Sequence, residues 1–129
     1  NGKRLMKAEI LGEITAIVYR SEENSFARWE PEITVEFPWP IVLLHVIWED
    51  RSEKIYLGAF LSGKNDRGEE DFAHEFVVLN PQGKKLNRFR IFVQEEPHEI
   101  RRSIRLSPEG YLYQMFVDKD YVLILKYEP

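Results

Sequence analysis

A chain of 129 residues with 43% apolar and 31% charged side chains has the size and balance of one globular domain, able to build a core without metal or cross-links. Its net charge of −4 offers no general attraction to nucleic acid or anionic lipid. With no cysteine, disulfides, thiolate nucleophiles and cysteine metal sites are excluded.

Residues 1–7 (NGKRLMK) read as a flexible end or cloning remnant ahead of a single domain over 8–129, and they carry no signal-peptide pattern. Beyond them, short runs of β-branched and aromatic residues alternate with turn punctuation, and apolar residues nowhere keep a helical period for three turns. The chain is therefore expected to be all-β. Ala8 to Tyr19 places Ala8, Ile10, Ile14, Ala16 and Val18 on one strand face, with Gly12 as a bulge or close approach. Arg20 to Glu32 is a loop by composition, and Ile33, Val35 and Phe37 then alternate with Thr34 and Glu36 as a half-buried strand. Two prolines in Phe37-Pro38-Trp39-Pro40 remove ladder donors, so this segment should bend the chain between strands or sheets.

Ile41 to Trp48 (IVLLHVIW) is apolar on both faces and must be covered from two sides, as must Tyr121 to Tyr127 (YVLILKY). Simple alternation puts Ile41, Leu43, His45 and Ile47 on one face and Val42, Leu44, Val46 and Trp48 on the other. The Trp48 face, uniformly apolar and larger, is expected to be inner. The His45 face is then outer and is the expected surface for a protein partner or for self-association.

Glu49 to Glu53 is a charged turn, and Lys54 to Leu61 returns as the second arm of a hairpin. Ser62 to Asp71, with two glycines and no apolar residue, is expected to be a long mobile connection. Phe72 to Leu79 is a strand closed by Asn80-Pro81-Gln82-Gly83, where Pro81 pre-sets the first turn angle and Gly83 takes a positive φ. Phe89, Ile91 and Val93 alternate with Arg88, Arg90 and Gln94. Within Glu95 to Leu106, an edge strand over Ile100 to Leu106 is favoured over a short helix opened by Pro97. Ser107-Pro108-Glu109-Gly110 is a second Pro/Gly turn before a hairpin of Tyr111 to Val117 with Tyr121 to Tyr127.

About nine short, mostly antiparallel strands spaced this way indicate a single β-sandwich. The run Leu106-Ser-Pro-Glu-Gly-Tyr-Leu-Tyr-Gln-Met-Phe-Val-Asp resembles the late strand pair of Ig-like domains, where a Pro/Gly corner precedes a strand opening with tyrosine. Over residues 75–127 the order of strands and turns resembles small uncharacterised bacterial and phage-associated Ig-like β-sandwich proteins. The resemblance implies an Ig-like fold and no activity. The paired cysteines of antibody-type domains are absent.

Sites of chemistry are sparse. His45, His74 and His98 show no HxH or HxxxH spacing, and on a strand His74 and Glu75 point to opposite faces, so no metal or other cofactor is expected. Asn65, Asp66, Glu69, Glu70 and Asp71 crowd one loop without the alternating pattern of a calcium turn. No serine sits in a nucleophile elbow, no glycine loop has phosphate-binding spacing and no carboxylate pair stands on a cleft-like apolar background, so the protein is read as a non-enzyme. Arg88, Arg90, Arg101, Arg102 and Arg105 form the one basic concentration, but Phe89 should point away from Arg88 and Arg90, which weakens a nucleic-acid reading. Neither nucleic acid nor membrane is an expected partner. The expected function is a non-catalytic binding or assembly module for a protein partner or itself; the alternative is a carbohydrate-binding module using Trp29 and Trp39. Localisation is open, with a soluble, cytoplasmic setting favoured.

Overall fold

A computed structural model describes residues 4–22, 30–91, 103–117 and 119–128, and over these the alternating pattern resolves into ten antiparallel strands. Strands β1 (Arg4–Leu11), β2 (Thr15–Glu22) and β3 (Glu30–Glu36) form a first sheet in chain order. A central sheet follows, β4 (Ile41–Glu49), β5 (Ile55–Lys64), β6 (Glu70–Leu79) and β7 (Lys85–Ile91), also in chain order. Strands β8 (Ile104–Leu106), β9 (Leu112–Val117) and β10 (Val122–Tyr127) make a third sheet in the order β10-β9-β8.

The layering follows from β5 and β6, which carry apolar residues at consecutive positions and so have two faces to bury. Ile55, Leu57, Ala59 and Leu61 of β5, with Ala73, Val77 and Leu79 of β6, meet Ala16, Val18, Ile33, Val35 and Phe37 of the first sheet and the bend after it. From the opposite face Tyr56, Phe76, Val78 and Ile91 meet Ile104 and Leu112 of the third sheet. Two cores thus share one central sheet, and the strands fall into three sheets where a two-sheet sandwich of about nine strands was expected.

Four hairpin turns use the same five-residue device. In each, the first residue's backbone N–H donates to the carbonyl of the fifth and its own carbonyl accepts from the fourth: Asp50 to Lys54, Asn65 to Glu69, Asn80 to Lys84 and Ser107 to Tyr111. The side-chain oxygens of Asp50, Asn65 and Asn80 each accept two amides of their own loop, and Ser107 Oγ accepts one. The fourth residue is left-handed in all four: Glu53, Gly68, Gly83 and Gly110, with φ of 65°, 75°, 88° and 95°. Consequently Ser62 to Asp71 is no long connection: its outer parts are ladder residues of β5 and β6, and a capped turn remains. The positive φ expected at Gly83 is present.

Ala8 to Tyr19 is two strands, because Gly12 adopts φ 74° and turns the chain between β1 and β2. Residues 4–7, expected as a loose end, lie in β1 opposite Lys7's partner Tyr19 through Glu22. The loop expected over Arg20 to Glu32 is shortened by β2 and β3 at its ends, and its middle, 23–29, lies outside the described residues. Pro38 to Pro40 carries the chain from first to central sheet as expected, held by the Phe37 and Ile41 amides donating to Ile14 and Glu13 carbonyls. Trp39 lies so close over Gly63 that a Cβ there would overlap its ring.

Strand β4 departs from strict alternation. Its pairing with β5 steps from Ile41↔Leu61 to Leu43↔Phe60 and from Leu44↔Ala59 to Val46↔Gly58, so Val42 and His45 are each an extra residue. Each insertion resets which face the next side chain takes. Ile41, Leu44 and Ile47 therefore pack on the first core, while Val46 and Trp48 pack on the second. Ile41, Leu43, His45 and Ile47 do not form one outer face: His45 is only 2% exposed, and of the four Leu43 alone is an exposed side chain.

Candidate functional site

Three places concentrate chemistry or unsatisfied surface. The first is a histidine pair inside the second core. The β4 bulge turns His45 beside His74 of β6, with His45 Nε2 3.3 Å from His74 Nδ1, so one shared proton joins the rings. Phe60 and Phe76 flank them, with centroids 4.8 Å from His74 and 5.7 Å from His45 respectively. Gly58 makes the room: a Cβ there would stand 2.8 Å from His45 Cε1 and from Phe76 Cε1. Burial pushes His74 down to about 4, and its Nε2 has no hydrogen-bond partner. A neutral imidazole in an aromatic box is the result, and it is sealed from solvent.

The second place is Glu75, whose side chain is buried between two arginines of β7. Arg88 Nη1 pairs with one carboxylate oxygen, and Arg90 Nε donates to the other at 3.3 Å. Arg88 also donates to the Glu36 carbonyl and lies 5.3 Å over the Phe37 ring, while Arg90 stacks 4.5 Å over Trp39. Both arginines are thereby engaged in joining the first and central sheets. Phe89 faces away from them and stacks on Phe76 and Tyr127, as strand parity requires. Arg101 and Arg102 lie outside the described residues, as do His98 and Trp29. Trp39 is half-buried, with Gly63 against its ring and Arg90 over it.

Asp50 has an equally internal task. It caps its own turn, and the buried Tyr56 hydroxyl donates to its Oδ2 at 3.0 Å while lying 3.2 Å from the Gly110 carbonyl oxygen. Burial foremost, with Asp50 beside it, holds that hydroxyl protonated well above the usual tyrosine range. Among the described residues no group of three or more His, Asp or Glu side chains is placed to hold a metal ion. No helix of the described residues is long and apolar enough to cross a membrane.

The third place is the outer face of the β9–β10 hairpin. Cross-strand pairing sets Met115 against Ile124 and Val117 against Val122, all pointing away from the second core. These four are 43%, 61%, 71% and 60% exposed, a contiguous aliphatic patch. Leu123, 44% exposed and paired with Phe116, has the opposite parity and lies on the other face of the hairpin. Tyr121 to Tyr127 was expected to be covered from both sides, but among the described residues β10 is the edge strand of the third sheet, and its outward side chains Val122 and Ile124 are exposed. The signal in the sequence was the run of two-faced apolar residues; its position at a sheet edge was not readable from periodicity.

No family model matches this chain, and neither a curated protein nor a solved structure does.

Proposed function

We propose that this domain is a non-catalytic binding or assembly module that engages a protein partner, or a copy of itself, through the outer face of its third sheet. The observation that carries the reading is the exposed Met115–Ile124 and Val117–Val122 quartet, a patch of aliphatic side chains paired across a hairpin. The non-catalytic part is supported by the buried carboxylates: Glu75 and Asp50 are spent on inter-sheet and turn contacts. Kinship with Ig-like modules is supported by the Ser107-Pro108-Glu109-Gly110 corner, whose glycine takes the left-handed conformation directly before Tyr111 and β9.

The test is a photo-reactive side chain in place of Val117, irradiated in the source cells. One discrete cross-linked protein product is expected, with none from the same group at the exposed turn residue Glu69. Equal products from both positions, or none from either, would remove the reading.

A second reading, carbohydrate binding, finds its support at a tryptophan other than those first singled out. Trp48 lines a groove of about 440 Å³ with Glu49, Arg105 and Leu106, an aromatic wall beside hydrogen-bonding groups. A glycan array hit lost in Trp48→Ala, with folding retained, would favour it over the protein-partner reading.

A further inference from the structure

We infer that a second copy of the chain joins this one beside the patch, antiparallel along the edge of β10 about a two-fold axis at Leu123, so that the two outer faces run into one; the inference rests on the outer-face reading above. Strand β10 has β9 on one side and no strand on the other among the described residues, so half of its backbone N–H and C=O groups face outward. Protected edges carry a lysine, a proline or a bulge in their middle. Here Tyr121, Val122, Leu123 and Ile124 follow one another unbroken, at 58%, 60%, 44% and 61% exposure.

Symmetry restricts the register. A two-fold axis perpendicular to the sheet keeps every side chain on its own face, so residue pairs across the axis have positions of equal parity. Centred on Leu123, the pairing sets Val122 against Ile124 of the second copy and Tyr121 against Leu125. The same register brings Asp120, in the bend two residues ahead of β10, across from Lys126 of the second copy, twice by symmetry. Centred on Ile124, it would set Asp120 against Glu128 and Val122 against Lys126; centred on Val122, it would set Asp120 against Ile124. Only the Leu123 register matches apolar with apolar and acid with base. The aliphatic quartet then continues across the junction as Val122 and Ile124 of both copies. Within one chain Lys126 is 3.4 Å from Glu128 and 4.2 Å over the Tyr111 ring; the ion pair is solvent-exposed and exchanges at little cost, and the ring contact is given up with it.

The experiment is sedimentation velocity over a concentration series on the wild type, Asp120→Lys, Lys126→Asp, the double charge swap and Ile124→Lys, with circular dichroism confirming the fold of each. The wild type is expected to form a closed dimer. Each single charge reversal should raise its Kd roughly ten-fold by turning two attractive pairs repulsive, and the double swap should restore it to within about two-fold. Ile124→Lys should raise Kd roughly a hundred-fold or more while remaining folded, since the side chain is exposed in one copy. A wild-type monomer throughout, open-ended association, or single reversals that the double swap does not rescue would each overturn the inference. A monomeric wild type whose Val117 photo-product is a different protein would leave the outer-face reading standing without the self-pairing.

Discussion

Glu53 stands where the three sister turns have glycine. Its φ of 65° is a conformation that costs a side-chain-bearing residue about 1–2 kcal/mol. Glu53→Gly is therefore expected to stabilise the protein by about 0.5–1 kcal/mol, the relief being partly offset by the greater backbone entropy of glycine in the unfolded chain. A thermal melt checks this, and a lower Tm would mean that the contacts of the Glu53 side chain outweigh the relief. His74 gives a second residue-scale expectation. Its imidazole stays neutral in the folded protein down to pH about 4, whereas in the unfolded chain it takes a proton near 6.5. The unfolded state thus binds more protons between these values. Stability is full above pH 6.5, falls as the pH drops toward 4, and loses up to ~3 kcal/mol on this account. Urea midpoints measured across that range should fall with acidification, and His74→Leu, whatever its own cost, should flatten the slope; an unchanged slope would assign the acid sensitivity elsewhere.

At the scale of the element, β4 is the strand on which alternation misleads. Its two bulges leave Leu43 37% exposed and bring Val46, two residues beyond the Leu44 that faces the first core, onto the second core. Leu43→Glu should accordingly yield a folded protein destabilised by about 1 kcal/mol, because its carboxylate can reach water. Val46→Glu should abolish the cooperative melt, since it would bury an unpaired charge at a cost of several kcal/mol. Far-UV circular dichroism with a thermal scan separates the two, and equal behaviour of the variants would contradict the bulged register. The same strand explains the histidine pair, because an unbulged β4 would send His45 to the face opposite Val46.

At the scale of the whole molecule, two cores lean on one sheet. Loss of either the first or the third sheet exposes an apolar face of β5 and β6, so neither outer layer is stable apart from the centre. Unfolding should be a single transition in which tryptophan fluorescence, reporting Trp39 on the first core and Trp48 on the second, coincides with far-UV circular dichroism in urea. Separated midpoints would show that one outer sheet detaches first.

Much of this architecture was legible before any coordinates. Strand periodicity placed the ladder residues of β3 to β6, β9 and β10, and Pro81, Gly83, Pro108 and Gly110 marked their turns, because these signals are local: they depend on backbone sterics and on which side chains shun water. The two-faced runs 41–48 and 121–127 were expected to be covered on both sides: β4 does send side chains into both cores, but Val122, Leu123 and Ile124 of β10 stay exposed, and the strands with a core on each face are β5 and β6. Which strands filled that place was decided only by assembly. Bulges at Val42 and His45 arise where β4 pairs with β5, and nothing in β4's own sequence counts the residues opposite it. Whether a two-faced strand becomes the middle of a sheet, as β5 does, or its bare edge, as β10 does, depends on which neighbours reach it; that is a property of non-local pairing, and it is what turned the expected interface from β4 to the C-terminal hairpin.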